Sequence, residues 1–151
     1  MAKEWGPCTW YLFHTLAEKV KNDSFLLVKD GLISIIKKIC SNLPCPECAG
    51  HAQHKMNTLN VNSIRSKRDL QLMLLSFHNE VNQRTGKPIF TEQQLDSKYN
   101  TAVTTQIIQY FFQIWQKPVP NPKLLTASFH KSQILKEFIS WWNTNNVHFI
   151  N

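Results

Sequence analysis

The sequence predicts an all-α protein, and three observations predict it. Apolar residues recur at three- and four-residue spacing in one segment after another, the period of helices that bury one face. Glycine is scarce, 4 in 151 residues, too few for a fold built on tight β-turns. The periodic segments are also punctuated by helix signals: prolines and Ser, Thr, Asn or Asp at their openings, and a Gly-Lys-Pro stop after one of them. A chain of this length that is 42% hydrophobic can bury a core of its own and is not of the disordered class.

Pro7 opens the first helix, on which Trp10, Phe13, His14, Ala17 and Val20 recur at helical spacing. Asn22-Asp23-Ser24 breaks that pattern and caps a second helix over 25–41, with Leu27, Leu32, Ile35, Ile36 and Ile39 as its buried stripe. Gly31 inside it costs about 1 kcal/mol relative to alanine. Asn42-Leu43-Pro44 ends this helix, and a third runs over 46–57. A polar connection covers 58–64. Ser66 then opens a fourth helix as a capping-box variant with Asp69 at the third position. Leu70, Met73, Leu74, Phe77 and Val81 form its stripe. Gly86 falls where a left-handed cap residue belongs, and Pro88 prevents continuation. A short fifth helix is expected over 91–99 behind the N-cap Thr91. A strongly apolar sixth follows over 104–116, with Ile107, Ile108, Phe111, Phe112 and Trp115. The proline-rich stretch 117–122 reads as a semi-rigid linker. The last helix is expected over 131–142, ending in Trp141-Trp142; these two are interface residues if exposed and core if buried.

The stretch with chemistry is Leu43-Pro44-Cys45-Pro46-Glu47-Cys48. Pro46 is pre-set for a first helical turn, which makes Cys45 the N-cap and keeps Cys48 in that turn. Unpaired backbone N–H groups and the positive end of the macrodipole then favour thiolate over thiol. A lone C-x-x-C pair fits a redox centre, half a zinc site, or chance. His51 and His54 extend the series invitingly toward zinc. Each three-residue step turns about 300°, however, so four such side chains on one helix do not converge on one ion. The expectation is a redox dithiol with no metal.

On the fourth helix, His78, Val81 and Asn82 lie side by side, with Lys87 just beyond its end. A ring, an amide and a cation along one line suit a ligand with a base, a ribose and a phosphate, although an isolated His–Asn pair on a helix is usually solvent-facing. The net charge of +7, with pI near 9.4, favours an acidic partner: nucleic acid, anionic lipid or a phosphate-bearing cofactor. Basic residues are scattered, and the one cluster, Arg65-Ser66-Lys67-Arg68, reads as a solvated helix start. There is no apolar run of bilayer length, so no membrane partner is expected. The first five residues lack the apolar core of a signal peptide, and the expected compartment is the cytoplasm, where a C-x-x-C is more often catalytic than structural. A Rossmann glycine fingerprint is lacking. The rival reading is a non-enzymatic helical module that binds zinc or nucleic acid.

Three segments together resemble one family. Trp5-Gly6-Pro7-Cys8-Thr9-Trp10-Tyr11-Leu12-Phe13-His14 is similar to the opening of the Erv/ALR sulfhydryl oxidases. Pro44-Cys45-Pro46-Glu47-Cys48 resembles their redox pair, and Phe77-His78-Asn79-Glu80-Val81-Asn82 with Gly86-Lys87-Pro88 resembles their H-N-x-V-N…G-K-P signature. The W-G-P opening and modest length resemble the versions carried by large cytoplasmic DNA viruses, which would place the protein in host cytoplasm or virion. The resemblance covers about residues 5–99. It implies a four-helix bundle with a short fifth helix, usually dimeric, that holds FAD; residues 1–100 would be this domain and 101–151 a C-terminal helical extension packed on or beside it. It also implies catalysis by Cys45 and Cys48, with Cys48 nearest the flavin. Trp10, His14, His78, Asn79, Val81 and Asn82 would contact FAD, Lys87 and Lys98 would face its pyrophosphate, and Tyr99 would lie near the adenine. Electrons would pass from a thiol-bearing protein or thioredoxin-like carrier through the pair to FAD and then to molecular oxygen, giving hydrogen peroxide. Nucleic acid has no place in that scheme. The second C-x-x-C of many cellular members is missing, and Leu75 stands where some relatives have a cysteine. Cys8 and Cys40 are left over as buried thiols, with a subunit-bridging or auxiliary role as the alternative for Cys8.

Overall fold

The computed structural model describes residues 4–117 and 125–151, with side chains described to 117 and again from 130. Among the described residues seven α-helices run in chain order: α1 (Trp5–Lys19), α2 (Phe25–Ser41), α3 (Pro46–Asn57), α4 (Lys67–Arg84), α5 (Glu92–Asn100), α6 (Thr104–Trp115) and α7 (Leu125–Asn145). Among the described residues the one β-type pairing is an isolated antiparallel bridge between Val20 and Phe149. The fold is all-α, as the apolar periodicity predicts. The proline-rich stretch 118–122 lies outside the described residues.

Helix α1 is the centre, packed against α4, α5 and α6, while α2 packs against α3 and α7. One apolar core joins α1 to α4 with α6 and α7: Leu12, Leu16, Leu32, Ile36, Ile39, Leu70, Leu74, Phe111, Trp115 and Phe138 are all fully enclosed. A smaller cluster of Leu75, Leu95 and Tyr99 seats α5. Helix α6 is thus bound into the same core as the helices before it. Its Trp115 Nε1 donates to Thr9 Oγ1 at 3.1 Å, and that hydroxyl donates to the Trp5 carbonyl at 2.6 Å. The chain's last residues also return to α1: Lys21 N donates to His148 O at 2.8 Å and Ile150 N to Lys19 O at 2.7 Å.

Several expectations need correction. Leu27, assigned to the buried stripe of α2, is 76% exposed. It lies one residue off the line of Phe25, Val28, Leu32 and Ile36, about 100° around the helix. The last helix begins at Leu125, earlier than its apolar pattern indicates, and Trp141 and Trp142 are half-buried against Phe138 and Phe149. In the basic cluster at the head of α4, Arg65 is exposed, but Lys67 and Arg68 are engaged rather than solvated. Lys67 Nζ donates to the carbonyls of Glu18 and Val20 at the end of α1, at 2.8 and 3.0 Å. Arg68 binds Asp96 and Glu92 of α5 at 2.7 and 3.0 Å.

Gly31 has a reason that periodicity does not reveal. A Cβ there would lie 2.7 Å from Trp141 Nε1, so the glycine lets α7 lie close on α2. Gly31→Ala is expected to destabilise the fold by about 1–3 kcal/mol through overpacking against a stiff indole, despite the better helix propensity of alanine. Urea unfolding checks the sign.

Candidate functional site

The cysteine pair sits where its sequence dictates. Cys45 is the N-cap of α3, in an extended conformation, and Pro46 occupies the first helical position. The Cys48 amide donates to Cys45 Sγ at 3.2 Å, so the cap that serine or aspartate usually supplies is here a sulfur. Cys45 and Cys48 form a disulfide with Cα atoms 5.1 Å apart, and both residues are half-buried. Partial exposure lets a thiolate reach such a disulfide, and a helix N-terminus stabilises a thiolate released there. The two remaining cysteines are free and enclosed. Burial pushes the Cys8 thiol up to about 11 and the Cys40 thiol to about 12. Cys8 is 0% exposed, which removes the subunit-bridging alternative. His51 reaches Glu47 at 3.8 Å, and His51 and His54 both line a cleft of about 290 Å³ between α3 and α4.

The second component is a cluster of rings from α1, α4 and α5. Trp10 stacks on His78 with centroids 4.2 Å apart and planes 6° from parallel. His14, one turn along from Trp10, lies 5.1 Å from His78 and 4.8 Å from Tyr99. His14 Nε2 and His78 Nδ1 are 2.9 Å apart and share a proton. Lys98 Nζ lies over three rings, those of Tyr11, Tyr99 and Phe90, at 4.9, 5.4 and 5.6 Å. Phe77, absent from the sequence expectations for the site, packs edge-on against Trp10 at 4.9 Å.

The amides of α4 serve the scaffold of this cluster. Asn79 exchanges two hydrogen bonds of 2.8 Å with the Phe90 backbone, pinning the loop that leads into α5. Buried Asn82 donates to Asn79 Oδ1 at 3.3 Å. Gly86, at φ +74°, closes α4: Lys87 N donates to Asn82 O at 2.7 Å and Gly86 N to Gln83 O at 3.4 Å. This 6→1 and 5→2 pair is a Schellman ending, and it leaves the Lys87 side chain exposed. Val81 faces the other way, into the α3–α4 cleft with Phe77, His54 and Arg84. The structure therefore brings Trp10, His14, His78, Lys98 and Tyr99 together and joins Asn79 to Asn82. Val81 is set on the neighbouring wall. Among the described residues no hydrogen bond links the cysteine pair to the rings; an ion pair of Lys55 and Glu80 at 2.7 Å joins α3 to α4. Tyr11 and Phe90 carried no signal of their own, since Phe90 lies in a loop without periodicity.

Both histidines are held neutral. Burial, with His78 and Lys98 nearby, pushes His14 down to about 3. Burial, Lys98 and Lys87 push His78 down to about 4. Each ring takes up its proton near the ordinary value of about 6.5 only on unfolding, so unfolding binds protons between that value and the folded one. Stability is full above about pH 6.5 and falls as pH drops toward 4. The expected slope is about 1.4 kcal/mol per pH unit for the enclosed His14 ring and less for the partly open His78. His14→Gln should flatten the slope in urea melts between pH 4.5 and 7; an unchanged slope would mean that His14 is not the buried neutral group.

Planar rings, a buried amide and two lysines thus gather on and next to α1, α4 and α5, and a disulfide stands at the N-terminus of α3. Residues 7–100 match the Erv1 / Alr family. Among curated relatives, one from Invertebrate iridescent virus 6 is provisionally named FAD-linked sulfhydryl oxidase 347L; it is 29% identical over 63% of this chain and 91% of its own length. An FAD-linked sulfhydryl oxidase of African swine fever virus is 28% identical over 68% of this chain and 86% of its own. The FAD-linked sulfhydryl oxidase ERV1 of Oryza sativa subsp. japonica is 29% identical over 64% of this chain, which spans 50% of that relative. No solved structure gives a significant match.

Proposed function

The chain belongs to the Erv1/Alr family, and from that premise we propose that it is an FAD-linked sulfhydryl oxidase that makes disulfides in protein substrates through Cys45 and Cys48. The observation that carries the reading is the half-buried Cys45–Cys48 disulfide at the head of α3, in a fold that gathers rings, amides and cations on α1, α4 and α5. The donor set fits a flavin dinucleotide: Trp10, His78 and Tyr99 offer flat surfaces, His14 Nδ1 is a buried polar atom without a partner among the described residues, and Lys87 and Lys98 supply positive charge. Trp10, His14, Cys48, His78, Asn79, Val81, Asn82, Lys87, Lys98 and Tyr99 would hold FAD. When bound, FAD supplies an acceptor for an electron pair and delivers that pair to molecular oxygen, which leaves as hydrogen peroxide.

The chain's own part is thiol–disulfide exchange. A substrate thiolate attacks Cys45 Sγ, the Cys45–Cys48 bond breaks, and a substrate–Cys45 disulfide forms. Cys48 leaves as a thiolate at the positive end of α3. A second substrate thiolate attacks the substrate sulfur of that mixed bond, releasing oxidised substrate and the Cys45 thiolate. Two electrons now reside on the pair, and their removal restores the disulfide. The substrate would be a thiol-bearing protein or a thioredoxin-like carrier, with the enzyme working as a homodimer in the cytoplasm. Residues 1–100 would carry the redox site and 101–151 would support it by packing on α1 and α2. Among the described residues no helix is long and apolar enough to cross a membrane.

The test is oxygen uptake in aerated protein supplied with a dithiol. One molecule of peroxide per molecule of oxygen consumed, with half the oxygen returned by catalase, is expected. Uptake no greater than in a protein-free control would refute the reading.

A further inference from the structure

The ring cluster contains one enclosed polar atom with nothing to bond among the described residues, His14 Nδ1, in a side chain that is 2% exposed. The other nitrogen of that ring, Nε2, is 2.9 Å from His78 Nδ1. Both rings are neutral near pH 7, so each carries one N–H and a single proton serves the contact between them. Two arrangements satisfy this. If His78 donates from Nδ1, the proton of His14 must lie on its own Nδ1, a buried donor with no acceptor. If His14 donates from Nε2, its Nδ1 is a bare lone pair and the proton of His78 lies on Nε2. A buried N–H without an acceptor is the rarer arrangement in folded proteins. Trp10, stacked 4.2 Å from His78 and 5.7 Å from His14, backs both rings, whose planes lie 25° apart, and opposes a flip of either.

We propose that His14 is a positioning residue that fixes His78 in its Nε2–H form, so that His78 presents a hydrogen-bond donor to the ligand. His78 Nε2 has no partner among the described residues and is not enclosed, which leaves it free to make that bond. Nε2–H accepts as its partner a ring nitrogen, carbonyl oxygen or phosphate oxygen, and it rejects a group that can only donate. His14 contributes to recognition through His78, in addition to its place in the wall of the site. The identity of the ligand as a flavin dinucleotide rests on the proposed oxidase function, whereas the proton arrangement rests on this chain alone.

The test is long-range proton–nitrogen NMR of the imidazole rings in uniformly labelled full-length protein with its flavin bound, at pH 7. The expected spectrum has Nε2 protonated and Nδ1 bare in both His14 and His78. A proton on Nδ1 of His78, or a doubly protonated ring at either position, overturns the proposal. His14→Phe keeps a ring but cannot donate; His78 should then divide between its two neutral forms and flavin should bind about tenfold more weakly, the loss of one ordinary hydrogen bond. His14→Gln, which retains an amide donor, should recover most of both. A His78 proton that stays on Nε2 in His14→Phe shows that His14 merely fills space and also overturns the proposal. The wild-type spectrum decides even if the variants do not fold. Visible absorbance of the same sample separates the two readings: a colourless protein contradicts the oxidase function, and the imidazole signals still report the tautomers.

Discussion

Cys45→Ser and Cys48→Ser are each expected to reduce thiol-dependent oxygen uptake to the protein-free background. A serine hydroxyl cannot form the disulfide that a substrate thiolate attacks, and neither sulfur has a substitute. Cys8 and Cys40 are enclosed, with thiols pushed up to about 11 and 12, and contribute no thiolate at neutral pH. The two variants should fail differently. In Cys48→Ser, the remaining Cys45 can still be joined to a substrate sulfur by an external oxidant, and a covalent substrate–Cys45 adduct should accumulate. In Cys45→Ser, the place assigned to Cys48, nearest the flavin rather than facing the substrate, predicts little such adduct. Cys8→Ala and Cys40→Ala should keep full uptake per folded molecule. Undiminished uptake in either serine variant would remove the C-x-x-C pair from the mechanism.

Trp115→Ala is expected to cost about 3–5 kcal/mol of stability, the range for truncating a large enclosed aromatic residue. Whole domains are stable by only about 5–15 kcal/mol, so this one change approaches the limit. Trp115 is 1% exposed, lies 5.0 Å from the Phe111 ring, and bonds Thr9 on α1. The substitution opens a cavity at the α1–α6 contact, beside Thr9 and about one helical turn along α1 from Phe13. Trp115→Phe should cost far less, about 1 kcal/mol, because most of the area stays buried and only the indole donor to Thr9 is lost. Urea unfolding of the full chain separates the two. A transition unmoved by Trp115→Ala would show that α6 is not part of the cooperative core.

Much of the fold is legible in the sequence because its helices are bounded by local chemistry. Pro46 behind the Cys45 cap, Ser66 with its oxygen on the Asp69 amide, Thr91 with Gln94 in a reciprocal cap, and Gly86 at positive φ are each decided within a few residues. The cysteine pair is legible for the same reason. What sequence pattern does not carry is contact over long separations. Gly31 is explained only by Trp141, Lys67 only by carbonyls on α1, and Lys98 only by three rings drawn from α1, α5 and a loop. Leu27 misleads because a helical stripe has an edge, and an apolar residue just beyond it looks like a member. The site residues of α4 show both sides. His78, Val81 and Asn82 are neighbours on the helix surface, yet Asn82 is enclosed, His78 stacks on Trp10, and Val81 lines the cleft toward α3.

The central claim is that electron pairs gathered by Cys45 and Cys48 have a flavin to go to. The direct measurement is the visible spectrum of the purified full-length chain, recorded without air before and after a stoichiometric dithiol, and again on readmitting oxygen. The account predicts yellow protein that bleaches on dithiol addition and recovers its colour in air, with bleaching lost in Cys45→Ser. A colourless protein, or a flavin whose absorbance ignores the dithiol, would contradict it.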